Sequence, residues 1–303
     1  MKGNNMPYLT IHTATYNRAY ILPKAYDSLC RQTNKDFEWI ITDDGSTDNT
    51  KELVTRWIKE ADFPIRYNPL EHVGIPRALN SGVSIAFTDW FMMLDSDDYI
   101  LPQTVEKACK WLKEIENDNQ FAGIGFAKCF SSGEYVKNQI PVMANGEYTD
   151  CTHLERKKYN LNMDMCEIHR TSLFKEFPFQ SWPTEKYAPE QLNFYEIALH
   201  DYVLRWRAEK LYICEYLPDG QTKDDRLVKN NPMGFSMMYN QLLKTDEGFK
   251  NRCKNASRMT ALALYAKHPE YLLKSTKPEY TILTLPFGIM LAFRRMIQFS
   301  KLK

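Results

Sequence analysis

Three carboxylates fall within four positions, at Asp95, Asp97 and Asp98, directly after the apolar run 91–94. Like charges at that spacing repel and lose hydration unless a cation sits among them, and hard oxygen ligands of this kind suit Mg²⁺ or Mn²⁺. A metal held at the tip of a strand points to phosphate chemistry. The same residues also satisfy a plainer reading, a polar strand-to-helix turn in which an aspartate caps the helix that Pro102 begins. Two earlier polar clusters, at 13–18 and 43–48, shift the balance toward the metal.

Each cluster follows a stretch with strand character. The pattern predicts strands over 8–13, 37–42, 64–67 and 90–94, with helices over 21–31, 50–60 and 75–87 between them. Asp48 or Thr47 can cap the second of these helices, and Gly74 with Pro76 opens the third. Such alternation implies an α/β fold with a mainly parallel, Rossmann-like sheet flanked by helices. In an open parallel sheet ligands gather outside the carboxyl ends of the strands, where all three clusters lie, so one cleft collects them. A helix over 102–115 and a strand from 121 follow, and then 127–182 reads as mixed strand and loop. Helical spacing over 191–207, a strand over 211–216, a turn at Pro218-Asp-Gly220 and a helical extension after Pro232 complete the chain.

With 303 residues, 44% hydrophobic and 25% charged, the chain holds a full core and is not disordered. Lys plus Arg number 39 against 38 for Asp plus Glu, which leaves no global basic field for nucleic acid. Seven scattered cysteines without a C-x-x-C pair suit reduced thiols, and the first residues carry no signal-peptide core; both point to the cytosol. The six histidines show no ligand spacing.

Four motifs in order, Thr15-Tyr-Asn-Arg18, the stretch 37–48 ending in Asp43-Asp-Gly-Ser-Thr-Asp48, Gly74 with Arg77 and Asn80, and Leu94-Asp-Ser-Asp-Asp98, resemble family 2 glycosyltransferases of the GT-A fold. The likeness is strong over 8–115 and weaker over 160–235. It implies an inverting transfer of one sugar from a nucleotide-sugar donor, UDP-linked or dTDP-linked, to a hydroxyl of a surface glycan, free or lipid-linked. Residues 1–115 would then be the donor-binding half of one GT-A domain, 116–225 its acceptor half, and 226–303 a helical region. By similarity Asp97 binds Mn²⁺ or Mg²⁺ directly and Asp95 holds the ribose or a metal-bound water. Thr15, Tyr16, Arg18, Asp43, Asp44, Arg77 and Ser96 complete the donor site. Tyr16 stacks on the base, Asp43 or Asp44 accepts its ring N–H, and Arg77 approaches the diphosphate.

Family members place the general base at the start of a helix in the second half, where Glu190 follows Pro189. Many relatives have Glu-Asp there and this chain has Glu190-Gln191. The plainer reading is that Glu190 complements the helix dipole and that Asp164, Glu167 or Glu185 is the base; geometry favours Glu190. The segment Tyr216-Leu-Pro-Asp-Gly220 with Asn231-Pro-Met-Gly234 looks like one found in polysaccharide-building members. Two other classes compete. A sugar-phosphate nucleotidyltransferase would need a glycine-rich basic loop after the first strand, which 14–18 lacks; a calcium-binding module would need loop glycines that 43–48 and 95–99 do not supply.

The C-terminal stretch 282–293 is apolar apart from one threonine, but it is shorter than the ~20 residues of a spanning helix and is interrupted by Pro286 and Gly288. Beyond it Met290, Phe293, Met296 and Ile297 share a helical face, Arg294, Arg295, Gln298 and Lys301 lie elsewhere, and no acidic residue follows Glu279. One amphipathic face serves either of two ends: lying on the anionic cytoplasmic face of a membrane, or packing on the core or a second subunit.

Overall fold

The computed structural model describes residues 6–215 and 225–302. Its contacts group them into a first unit within Met1–Pro178 and Glu196–Pro218 and a second within Phe179–Tyr195 and Asp219–Lys303.

The first unit opens with β1 (Leu9–Thr15), α1 (Pro23–Cys30), β2 (Phe37–Asp43), α2 (Thr50–Glu60), β3 (Ile65–Pro69), α3 (Ile75–Ile85) and β4 (Trp90–Met93). The first four strands pair in parallel in the order β3-β2-β1-β4, so the chain steps outward through β2 and β3 and then crosses to the other side of β1. That reversal is the topological switch point at which open α/β sheets bind ligands. β2 is buried along its whole length, as expected where helices cover both faces, and Leu9, Ile11, Trp39, Ile41, Trp57 and Trp90 fill the core.

The chain continues through β5 (Tyr99–Ile100), α4 (Thr104–Lys113), β6 (Phe121–Phe130), β7 (Thr149–Cys151), β8 (Met165–Arg170) and α5 (Thr171–Glu176). After α6 (Gln191–Ala198) comes β9 (Val203–Cys214), which extends the sheet in the order β4-β8-β6-β9-β5 with β7 also on β9. Here β8 runs antiparallel to both β4 and β6, while β6 and β9 are parallel. The helical spacing read over 191–207 is overturned in its second half. The helix stops at Ala198, Asp201 adopts φ 63°, and the strand begins at Val203, eight residues before the expected 211. The seven cysteines are free thiols.

His12, in the middle of β1, is 1% exposed; its Nε2 lies 2.9 Å from Thr42 Oγ1 and its ring stacks on Phe91. Burial pushes its pKa down to about 3 from 6.5. The unfolded chain therefore takes up this proton near pH 6.5 while the folded chain refuses it until about pH 3. The contribution of His12 to stability falls as pH drops through that window, by about 1.4 kcal/mol per unit. We expect NMR to show the His12 imidazole neutral down to pH 4; titration near pH 6 would contradict the burial argument.

The second unit contains α7 (Asp225–Asn230), α8 (Pro232–Thr245), α9 (Phe249–Tyr265), α10 (Pro278–Leu283) and α11 (Leu285–Ser300). Met233, Leu243, Ala256, Met259, Ala263 and Tyr271 form its core. Asn240 on α8 fixes the 274–276 link: its Nδ2 donates to Lys274 O and its Oδ1 accepts from Thr276 N. Among the described residues no helix is long and apolar enough to cross a membrane. The expected turn at Pro218 and the segment from Tyr216 to Gly220 lie outside the described residues.

Candidate active site

The loops after β1 and β2 are sewn together by hydrogen bonds. Thr15 ends β1 opposite Asp43 at the end of β2, and the Asp44 N–H donates to Thr15 O. Asn17, at φ 52°, accepts from Thr47 N through Oδ1 at 2.7 Å and donates its own N–H to Ser46 Oγ. Asp48 accepts from Ala19 N and from both the N–H and hydroxyl of Thr50. Burial alone would raise the Asp48 pKa, but these hydrogen bonds hold it below its ordinary value. Asp48 thus holds the first N–H of α2 and ties it to the β1 loop; the N-cap position itself is Asn49.

Asp43 and Asp44 are both buried. Asp43 accepts from Ser46 N at 2.8 Å and from the Tyr67 hydroxyl at 2.5 Å. Asp44 reaches over to α3: its oxygens accept from Val73 N and Gly74 N at 2.6 and 3.1 Å, with His72 Nδ1 at 3.0 Å. A carboxylate at these amides neutralises the positive end of the α3 dipole. Gly45, at φ +83°, lets the loop approach so closely that a Cβ there would lie 2.7 Å from His72 N. The 41%-exposed Tyr16 stacks on His72, ring centroids 3.9 Å apart. Arg77, half-buried on α3, donates back to Val73 O at 2.9 Å.

At the tip of β4 the three carboxylates take three different positions. Asp95 Oδ2 lies 3.1 Å from Lys128 Nζ on β6 and accepts from the Tyr212 hydroxyl on β9 at 3.2 Å; that hydroxyl in turn accepts the Asp95 N–H. The ammonium of Lys128 holds the Asp95 carboxyl below its ordinary range. Burial by itself would lower the Lys128 pKa, but Asp95 and Asp98 outweigh it and raise it well above the usual value. Asp98 is buried, accepts from Glu215 N at 3.0 Å, and is pushed up to about 7 by burial and by Asp95. Asp97 is half-buried, and its nearest cation is Arg18 Nη1 at 3.8 Å. Burial and then the charge of Asp95 raise its pKa. Ser96 sits half-buried in the turn between them.

No group of three His, Cys, Asp or Glu side chains converges among the described residues as a closed metal cage would require. Mg²⁺ and Mn²⁺ in phosphate chemistry need less, one or two carboxylates with phosphate and water completing the shell. Asp97 fits that need: its negative charge is disfavoured where it stands, and Arg18 is too distant for a hydrogen bond to relieve it. A divalent cation would favour the charged form. Asp95, already engaged by Lys128 and Tyr212, suits an outer position better.

Of the residues expected at the donor site, Thr15, Tyr16, Arg18, Asp43, Asp44, Arg77, Asp95, Ser96 and Asp97 all lie in the first unit, at or just beyond the carboxyl ends of β1, β2 and β4 or at the head of α3. Glu190 belongs to the second unit and stands immediately before α6, where its carbonyl accepts from Asn193 N. Glu185 is engaged at the start of α8, where its two oxygens accept Met233 N and Gly234 N, both at 2.7 Å. Asn231 Oδ1 likewise accepts from Lys186 N and Tyr187 N. The Asn231-Pro-Met-Gly234 motif thereby anchors the segment that leads into Glu190. Glu167 is buried beside Arg156 and His153, at 3.3 and 3.4 Å, and Asp164 lies 3.7 Å from Lys137.

The profile of glycosyl transferase family 2 matches residues 10–178, more than half of the 303. The chain belongs to glycosyl transferase family 2. Among relatives in this family, the hyaluronan synthase of Pasteurella multocida is 33% identical over 143 residues, 47% of this chain but only 14% of the synthase. The fold is likewise that of the family. The structure of S. aureus TarS 1-349 in complex with UDP-GlcNAc superposes with a TM-score of 0.63 at 18% identity, covering 94% of this chain and 81% of that one. A mannosyltransferase from Pyrobaculum calidifontis, in complex with GDP-Man and Mn²⁺, gives 0.59 at 16% identity over 97% and 88%. The central α/β sheet described above is thus a GT-A sheet.

Sequence reasoning missed Lys128, Tyr212 and His72. The one signal for Lys128 was a lone cation inside the otherwise apolar and small run of β6. Replacing it by methionine keeps the stem and removes the charge, leaving Asp95 with Tyr212 but without its cation. Because Asp95 is 57% exposed, water compensates much of that loss, and we expect K128M to cost about 1 kcal/mol of stability. A change above 3 kcal/mol in urea unfolding would show the pair to be sealed from solvent.

Proposed function

We propose that the protein transfers one sugar from a nucleotide-sugar donor, a UDP-sugar before a dTDP-sugar, to a hydroxyl of a surface glycan, with inversion and with Mn²⁺ or Mg²⁺. The observation that carries this reading is the half-buried Asp97 at the tip of β4, its charge disfavoured and Arg18 opposite, at the switch point of a family 2 sheet. A divalent cation bound at Asp97 would supply positive charge to the departing diphosphate. Arg18 adds charge from the β1 loop. Tyr16 offers the base the ring face turned from His72, and Asp43, which accepts two hydrogen bonds, keeps lone pairs for a ring N–H. Asp44 instead holds the 72–74 loop. Asp95, fixed as an anion by Lys128, is assigned to the ribose.

Glu190 is assigned the proton of the acceptor hydroxyl, with the first 115 residues serving the donor, 116–225 the acceptor and 226–303 a helical region of their own. Reduced thiols suit a cytosolic site of action. The test is binding of nucleotides and nucleotide sugars with and without Mn²⁺, followed by release of the nucleoside diphosphate on transfer. Metal-dependent affinity for UDP and its sugars is the expected result; release of pyrophosphate from a nucleoside triphosphate would overturn it.

A further inference from the structure

The strand-tip chemistry uses none of the second unit's C-terminal surface, where two independent features coincide. The first is a division of α11 into two faces. Gly288, Ala292 and Phe299 are buried, and a Cβ on Gly288 would lie 2.5 Å from Thr260 Cγ2, so this stripe packs tightly on α9. The opposite face carries Phe287, Met290, Phe293 and Ile297, each between 61% and 64% exposed. The helix therefore spends one stripe on the core and still presents four large apolar side chains to solvent, more than isolated exposure on a monomer explains. They continue into a groove of about 390 Å³ whose lining includes Phe249, Cys253, Lys254, Ser257, Leu283 and Phe287.

The second feature is charge. Residues 249–303 hold eleven Lys or Arg against two Asp or Glu, in a chain whose formal net charge is only +1. Arg294 is exposed beside Met290 and Phe293 on the helical wheel, and the exposed Lys301 lies one turn beyond Ile297. Apolar side chains flanked by cations, on a helix too short to span, match an anionic lipid surface: the side chains enter the acyl boundary and the cations meet the headgroups. A second copy of this chain would bring the same excess of positive charge against itself.

We propose that this face of α11, with the groove beside it, docks on an anionic bilayer. The inference is independent of the donor site, and so is its test. The full chain is sedimented with phosphatidylglycerol vesicles and with phosphatidylcholine vesicles, and UDP affinity is followed in parallel. Binding to the anionic vesicles and little to the neutral ones is expected. The double substitution R294E and K301E should weaken it about thirtyfold or more. The triple substitution of Phe287, Met290 and Ile297 by serine should abolish it, with the melting temperature and UDP affinity of the wild type. Absence of vesicle binding by the wild type overturns the proposal, as does binding that survives both sets of substitutions. A dimer in analytical ultracentrifugation that the serine variant dissociates, with no vesicle binding, assigns the face to a second copy instead. If the serine variant fails to fold, the charge-reversed variant, altered only at exposed positions, decides the question.

Discussion

Asp97→Asn should reduce sugar transfer by roughly 10²- to 10³-fold or more, because it removes the carboxylate that would hold the cation on which the departing diphosphate depends. The fold should be untouched. Asp97 is half-buried at a loop tip, its carboxylate has a raised pKa through burial and through Asp95, and its closest cation stands 3.8 Å away. Asparagine keeps the shape and relieves the repulsion, so the variant should melt at or slightly above the wild-type temperature. A group with a raised folded-state pKa favours the folded state most where it is protonated, and the amide mimics that form at every pH. Calorimetry should show UDP affinity no longer responding to Mn²⁺. Turnover like that of the wild type at limiting Mn²⁺ would remove Asp97 from the site.

The donor half was legible because its cues are local. Runs of β-branched and aromatic residues end in Asp, Gly and Asn, and helices follow within a few positions; α2 begins and ends where its spacing placed it, at Thr50 and Glu60. The carboxyl-end location of Asp43, Asp95 and Asp97 follows from that alternation alone. What escaped depends on partners far along the chain. Lys128 and Tyr212 meet Asp95 from 33 and 117 residues away. β9 escaped for the same reason. Its Arg205 and Arg207 look like the polar face of a helix, yet within the sheet they pair with Asp150 at 2.8 Å and Glu114 at 2.6 Å. The period-two alternation Leu204-Arg-Trp-Arg-Ala-Glu209 is present in β9, but the carboxylates that let its arginines lie within the sheet come from far along the chain. Asp44 is a related case: the sequence marks it as a ligand-facing carboxylate, and only the approach of the 72–74 loop gives it the amides of α3.

Glu190→Gln separates acceptor chemistry from donor binding. Displacement at the anomeric carbon with inversion requires the acceptor hydroxyl to lose its proton on the face opposite the leaving diphosphate, and a carboxylate in that role contributes roughly 10²- to 10⁴-fold. Glutamine preserves size and hydrogen bonding but takes no proton. Transfer should therefore fall by that factor while UDP affinity, measured with Mn²⁺, stays within about twofold of the wild type, as expected of a residue assigned to the acceptor and not to the nucleotide. The acid limb of the pH–rate profile should vanish with the carboxylate. Glu185→Gln supplies the contrast. Both oxygens of Glu185 accept amides at the head of α8, so its loss should loosen the segment leading to Glu190 and lower the melting temperature. A merely structural Glu190 would behave as Glu185 does, with stability and activity falling together. Weakened UDP affinity with intact turnover would assign the base to another residue. Lost transfer with stability and donor affinity preserved, together with loss of the acid limb of the pH–rate profile, is the pattern expected of the proton acceptor.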